Sequence, residues 1–487
     1  MDRAVSEPAT DRPARVVTDA LGVAALALLA YLVLGQSTVY GDGFNFLLGS
    51  RGVVYHHPSH PCYLPLAAAL RALALPLSLT HYEGTLLLSQ LGTAVGVGLG
   101  VAALRLAGLG RVDAWIAAVW IAMTPAVAFF ATVVEVHGAF YAFAGAAWLA
   151  TVALLRRPTA ARAVIVGLSS AAASLVHASG VILPAPLLAL TLAARWPGAE
   201  RSTRWRLVRL TLLAGATHGG SYALGVFTVR KLGVEADPQV AAGFVSNMAS
   251  LIPRDVTRYA QVAWEEWLWP FALLSIAWVP ALLQPVWRAR AFGMLAATTV
   301  YVLAAAIVLG LGPERGAYLL PLAWPAAWLA VAGLPRPLAL LGLAASAVLA
   351  VQAIRAHDAP EVPAEFAAGV REIAGSRPPF LLIGELSDIE ACFVGLPDVT
   401  YLFLIETALL VHAAQPAGWA ALDGHLQGLH TRGHALLLTH SANARLRSPQ
   451  LQREFPGSGV VLRQLEQAYR FEPVAARGFV GLELVPR

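Results

Sequence analysis

Lysine is almost missing from this 487-residue chain: Lys231 stands alone among 34 basic residues, and the rest are arginine. Cysteine is as scarce, with Cys62 and Cys392 far apart in sequence. Two such cysteines make neither a zinc pattern nor a disulfide framework, which excludes both as the source of the fold's stability. Charge is also low. Only 13% of residues are Asp, Glu, Lys or Arg, against roughly 25% in a soluble globular protein. The sequence has no internal repeat and no low-complexity segment. Arg3, Arg12 and Arg15 precede the first apolar run, and no A-x-A-like cleavage site follows it. The expectation is a retained first span rather than a removed signal peptide.

What is abundant is apolar. Hydrophobic residues make up 57% of the chain, and the mean hydropathy is +0.64. A helix needs about 20 apolar residues to cross a bilayer. Hydropathy predicts about eleven crossings: Val16–Leu34, Thr85–Leu104, Ala114–Ala131, Gly138–Leu155, Ala161–Val176, Gly180–Ala194, Leu207–Val229, Leu268–Val286, Ala291–Leu311, Ala317–Ala332 and Leu338–Ile354. Tyr63–Leu79, with three prolines and Arg71, is expected to lie along the outer membrane surface. The Ala/Leu/Arg/Gly bias is that of a GC-rich bacterial genome, so the expected location is a bacterial inner (plasma) membrane.

The net charge of +5 reads as positive-inside loops rather than nucleic-acid binding. With the N-terminus inside, Arg105, Arg111, Arg156, Arg157, Arg162, Arg195, Arg201, Arg204, Arg206, Arg209, Arg288, Arg290 and Arg336 all fall on the cytoplasmic side. The other side receives Asp42, the cluster His56, His57 and His60, then His81, Glu83, Glu135, His137, His177, the loop from Lys231 to Trp267, Glu314 and Arg315. Polar chemistry thus gathers at one face. Trp264, Trp267 and Trp269 suit an interfacial anchor.

The character changes near His357. FLLIGEL (380–386), VTYLFLI (399–405) and HALLLTH (434–440) read as buried strands, with helical patterns such as SDIEACFVG between them. The expected fold class is a mainly α, polytopic membrane protein with a small C-terminal α/β domain. Residues 1–355 form the membrane module, with a first outer loop at 36–82, and 356–487 the α/β domain. An odd span count places that domain outside.

Several residues carry chemistry, each with a plainer alternative. Asp42, between Gly41 and Gly43, is either an ordinary Gly-Asp-Gly turn or a general base for a hydroxyl nucleophile. His56, His57 and His60 could ligate a metal, but Pro58 and Pro61 prevent one helical face from presenting all three; hydrogen bonding to a phosphate or sugar hydroxyl suits them better. Glu135 and His137, at the outer boundary between two spans, are either a functional pair, since a carboxylate there is expensive, or a lip charge facing water. His218 reads as an interhelical hydrogen bond near mid-membrane. Arg315, beside Glu314, is either a bidentate phosphate ligand or a snorkelling arginine.

These pieces resemble a known family. The membrane part looks like a GT-C superfamily glycosyltransferase, the polytopic enzymes that use lipid-phosphate-linked sugars. The N-terminal third resembles the transmembrane O-mannosyltransferases acting on plexin-type domains, whose pattern is close to D-S-G-E…H-P-P-G-Y-P-L-Y with a later E-V-Y. Here D-G-F-N begins at Asp42, and HHPSHPCY spans His56–Tyr63 with Pro58, Pro61 and Tyr63 in place. The motif histidine is His56 or His57, and the later element is Glu135-Val136-His137. Asn45 stands where the family has a second acid, Ser59 replaces glycine, and His60 and His137 replace tyrosines. PERGAYLLP is similar to an arginine-plus-tyrosine element of GT-C enzymes, supplied here by Arg315 and Tyr318.

The resemblance implies transfer of mannose or another hexose from a polyprenyl-phosphate-linked donor to an extracytoplasmic protein, lipid or glycan. Asp42 and Glu135 would be the catalytic carboxylates. His56, His57, His60, Tyr63, His137, Arg315 and Tyr318 would bind substrate. Neither a cofactor nor a metal is demanded, and the partners are donor, acceptor and membrane lipid. The alternatives are a transporter or lipid-linked-glycan flippase, which wants charges along a transmembrane path, and a non-catalytic assembly scaffold.

Overall fold

The structure, a computed structural model, describes residues 13–41, 43–50, 60–181, 183, 200–231, 256–308, 314–404 and 407–487. Asp42, His56 and His57 lie outside them. The chain divides into two compact units. The larger holds 40–79 and 83–357 together with the residues before Ser37; the smaller is Asp358–Arg487 with the short pieces Ser37–Val39 and Thr80–Tyr82.

The larger unit is helical. Its elements are α1 (Pro13–Val33), α2 (Gly43–Ser50), α3 (Tyr63–Leu73), α4 (His81–Leu106), α5 (Arg111–Ala122), α6 (Pro125–Thr132), α7 (Val136–Arg156), α8 (Ala160–Val176) and α9 (Arg201–Lys231). There follow α10 (Val256–Phe271), α11 (Pro285–Val308), α12 (Ala323–Gly333) and α13 (Arg336–His357). Among the described residues four helical stretches are long and apolar enough to cross a membrane: α1, α4, α7 and Arg336–Ala374. Two bent pairs raise this to as many as six. In one, α5 and α6 meet at 62°, with Pro125 starting the second helix where its missing N–H costs no bond. In the other, α10 turns by 97° into Leu274–Leu283. The eleven crossings expected from hydropathy exceed this number for definite reasons. α8 has 17 residues, and the expected Gly180–Ala194 span falls almost wholly outside the described residues. Tyr63–Leu79, expected along the membrane surface and not among the eleven, holds the short apolar helix Tyr63–Leu73.

Packing follows from the sequence. α1 buries one stripe, Asp19, Val23, Ala27 and Tyr31, four residues apart, as a 3.6-residue period requires for a single seam. Its leucines 21, 26, 29 and 32 stay exposed, an apolar face suited to lipid. α4 and α7 approach through small residues. A Cβ at Gly138 would sit 2.5 Å from the Ser89 carbonyl oxygen, and one at Gly92 2.6 Å from that of Gly138. Close helix contact of this kind is how membrane bundles gain dispersion energy without a hydrophobic drive. The protein is a multi-pass membrane protein.

The smaller unit holds a five-stranded sheet in the order β2-β1-β3-β5-β4. β1 (Pro379–Ile383) pairs in parallel with β2 (Thr400–Phe403) and β3 (Ala435–Thr439). β5 (Phe479–Pro486) runs antiparallel to β3 and to β4 (Tyr469–Ala476). The helices are α14 (Glu361–Ala374), α15 (Leu386–Gly395), α16 (Thr407–Ala413), α17 (Pro416–Thr431), α18 (His440–Arg447), α19 (Pro449–Glu454) and α20 (Gly457–Ala468). Leu382, Leu436 and Leu438 enter a core with Leu426, Val461 and Leu465.

Candidate active site

Several of the larger unit's buried polar side chains meet at one end, among them Glu135, His137, His177 and His60. α6 stops at Thr132, and Val133 and Glu135 are extended before α7 begins. Glu135 thereby becomes the N-terminal flanking residue of α7, where a negative charge meets the positive end of the helix dipole. Its backbone is tied down by Ser89, whose hydroxyl donates to the Glu135 carbonyl at 2.9 Å. The carboxylate is 3% exposed and lies 3.8 Å from His137 Nε2.

The first-loop motif meets this carboxylate at Gly41. Gly41 has φ +52°, and a Cβ built on it would lie 3.3 Å from Glu135 Oε2. Glycine is the residue that takes this conformation without penalty while letting backbone approach a side chain so closely. Asp42 is the next residue in sequence.

A column of rings continues from Glu135. His137 packs against His177 at 4.4 Å between centroids, and His177 stacks on His60 at 4.6 Å. Tyr318 meets His137 at 5.9 Å and His177 at 5.7 Å. Phe46 closes the far side against His60 and Tyr63, at 5.5 and 4.1 Å. His177 Nδ1 lies 2.5 Å from the Ser179 hydroxyl and 3.1 Å from the Ser179 backbone N. Burial first, then the charge of Glu135, pushes the Tyr63 hydroxyl above its ordinary range. Stacked imidazoles offer faces to one another rather than lone pairs to a common point. Among the described residues no group of three or more His, Cys, Asp or Glu side chains is placed to hold a metal ion.

Arg315 forms the opposite wall. Its guanidinium carbon lies 4.7 Å from the Phe129 ring centroid and 5.2 Å from that of Tyr40. The Tyr40 hydroxyl is pushed up to about 12, first by burial and then by the charge of Glu314, with Arg315 opposing and Glu266 and Glu135 adding. Tyr40 therefore feels both the cation and the carboxylates. His357, at the end of α13, packs on Tyr40 and Phe129 at 5.8 and 4.9 Å.

Of the residues expected from sequence, the structure brings together His60, Tyr63, Glu135, His137, Arg315 and Tyr318. Asp42, His56 and His57 lie outside the described residues. His218 stacks on Tyr222 of its own helix, at 6.3 Å. Sequence reasoning did not find Tyr40, Ser89 or Glu266, and it placed His177 on this side without giving it a role. An acidic residue inside the apolar run WEEWLWPF was the available signal for Glu266. Tyr40 and Ser89 give no signal without the fold.

No protein-family profile matches the chain, and no curated protein matches it in sequence. The fold does have relatives. The crystal structure of ArnT from Cupriavidus metallidurans bound to undecaprenyl phosphate aligns with TM-score 0.60 at 12% identity, over 97% of this chain and 98% of that one. The apo state of the same protein aligns at 0.53, also at 12% identity, over 95% and 97%. Agreement over nearly the whole of both chains shows that this chain shares the fold of ArnT.

Proposed function

We propose that the protein is an integral membrane glycosyltransferase that moves a sugar, mannose or another hexose, from a polyprenyl-phosphate carrier to a protein, lipid or glycan acceptor outside the cytoplasm. The observation that carries this reading is the pairing, around Tyr40 and Phe129, of an arginine with buried carboxylate chemistry. The undecaprenyl phosphate bound to the structural neighbour supports the same class of donor here.

A lipid phosphate is already a good leaving group. The enzyme therefore needs a base for the acceptor hydroxyl and a cation for the departing phosphate. In the proposed reaction the acceptor oxygen forms a bond to the anomeric carbon as the bond from that carbon to the phosphate oxygen breaks. The electron pair leaves with the phosphate, opposite Arg315, and the hydroxyl proton passes to Asp42. Glu135 and His137 orient acceptor or donor, and His60, Tyr63 and Tyr318 line the sugar's path. His56 or His57 supplies a further hydrogen bond to the phosphate. If inverting, base and leaving group lie on opposite faces of the sugar, by the geometry that governs inverting glycosidases.

The test is direct. Purified protein is mixed with polyprenyl-phosphate mannose or glucose, and released polyprenyl phosphate is measured. Turnover that disappears in Asp42→Asn, with unchanged melting, is the expected result. Intact donor carried across vesicle membranes without cleavage would make the protein a transporter instead.

A further inference from the structure

The turn that presents Arg315 is held from behind by a buried acid. Glu266 is 0% exposed and sits on a π-helical turn, Trp264–Leu268, within α10. Its Oε1 accepts the Glu314 N–H at 2.5 Å, and its Oε2 accepts the Gly316 N–H at 2.8 Å. One carboxylate thus spans the two N–H groups that flank Arg315.

The backbone it holds is unusual. Arg315 has φ 51°, in the left-handed region, and Gly316 follows at φ 82°. A non-glycine residue pays a conformational penalty there, and such residues persist where their surroundings over-determine them. Where the chain passes into the left-handed region, as from Glu314 to Arg315, its N–H groups can turn to one side, a concavity that favours an anion. Here the anion is supplied by the protein itself. Gly316 cannot be enlarged, because a Cβ would lie 2.7 Å from Pro270 Cβ and 3.0 Å from the Glu266 carbonyl oxygen. With its backbone gripped on one side, Arg315 lays its guanidinium over Phe129 and Tyr40. A planar guanidinium carries along its edge the N–H fork that matches two phosphate oxygens.

We propose that Glu266 is a positioning residue: by clamping the N–H groups on both sides of Arg315, it pre-organises that guanidinium for the phosphate of the lipid-linked donor. The inference rests on the donor class argued above. It explains why a carboxylate stands there. Two N–H groups need two acceptor oxygens on one rigid group; glutamine offers one, and its amide would face the second donor with another donor. Aspartate keeps both oxygens and the charge but is one methylene too short to span the turn.

The clamp predicts a specific pattern of loss. Undecaprenyl phosphate binding to the purified full-length protein is measured for wild type, Glu266→Gln, Glu266→Asp, Arg315→Ala and the double variant Glu266→Gln/Arg315→Ala, beside donor and acceptor kinetics. Both Glu266 variants should weaken undecaprenyl phosphate binding about 10-fold or more and lower kcat/KM for the donor, with acceptor KM unchanged. The double variant should be no worse than Arg315→Ala, because an orienting group has nothing left to orient. Additive losses, or wild-type binding in a folded Glu266 variant, would show that the carboxylate serves stability alone. Should Glu266→Gln fail to fold, Glu266→Asp with Arg315→Ala gives the same cycle. If wild type binds and Arg315→Ala does not, the donor reading holds whatever Glu266 does; if wild type fails to bind, that reading and this inference fall together.

Discussion

At the scale of single residues, a letter nominates a side chain for chemistry, and only its surroundings say what holds it. Arg315 is the clearest case. As a letter in PERGAYLLP it reads equally as a phosphate ligand and as a snorkelling arginine. Position decides what can be tested. Its guanidinium lies over Phe129 and Tyr40 on a left-handed turn, which an arginine at a lipid interface does not require. In the proposed reaction negative charge grows on the phosphate oxygens as the sugar–phosphate bond breaks, so a contact from Arg315 should strengthen toward the transition state. Arg315→Ala should lower donor kcat/KM by about 3 kcal/mol, the size of other preorganised oxyanion contacts. Arg315→Lys should recover only part, since it restores charge without the planar fork. Equal kinetics for lysine and arginine would return Arg315 to the snorkelling reading.

At the scale of elements, three strands of the α/β unit were legible because each is a short apolar run: β2 and β3 fall inside VTYLFLI and HALLLTH, and β1 overlaps FLLIGEL, starting one residue before it. β4 and β5 were missed. Their residues alternate more loosely between buried and exposed, and the signal was the hairpin turn at Arg477-Gly478 between paired Ala476 and Phe479. Asp388 shows what pattern reading cannot supply. Its Oδ2 accepts from the Gly384 N–H at 2.9 Å, the Glu385 N–H at 3.2 Å, the Thr439 hydroxyl at 2.9 Å and the Ser441 hydroxyl. The acid thus joins the ends of two neighbouring parallel strands. Asp388→Ala leaves buried donors unpaired and should destabilise this unit by about 3 kcal/mol, read as a lower denaturant midpoint. Glu390, on α15, gives the pH counterpart. Burial, then the charge of Asp358, raises its carboxyl to about 7 from 4.5, against a hydrogen bond from the Val39 backbone. A folded value above the unfolded one means that the folded unit binds the extra proton. Stability should therefore be greatest below about pH 4.5, fall as pH rises toward 7, and level off above it. Glu390→Gln should flatten that slope in a melting series from pH 5 to 8; an unchanged slope would locate the titration elsewhere.

At the scale of the whole molecule, the arginine asymmetry read from sequence meets the structure in the long helices. α7 has 21 residues, about 31 Å at 1.5 Å per residue. Glu135 lies at one end and Arg156 at the other. α13 begins at Arg336, which pairs with Asp113 at 2.7 Å, and ends at His357, packed on Tyr40 and Phe129. Asp19, on α1, pairs with Arg111 at 2.8 Å, again among arginines assigned to the cytoplasm. α7 thus has an acid at one end and arginine at the other, while α13 carries arginine near both ends, Arg336 and Arg355; the expectation that Lys and Arg favour the cytoplasmic end puts Arg156 and Arg336 inside. This polarity survives any recount of the spans, because it depends on which end of a helix each residue occupies and not on how many helices there are. It also sets the direction in which the chain leaves α13: His357 is the site end, so the residues after it should emerge outside the cytoplasm. A reporter fused after Arg487 that is active only outside the cytoplasm should therefore be active, and a cysteine introduced at exposed Val411 should react with a membrane-impermeant maleimide in intact cells stripped of any outer barrier. Labelling that appears only after the membrane is opened would reverse the orientation and put the carboxylates, the histidine column and Arg315 on the cytoplasmic side, where an extracytoplasmic acceptor cannot reach them.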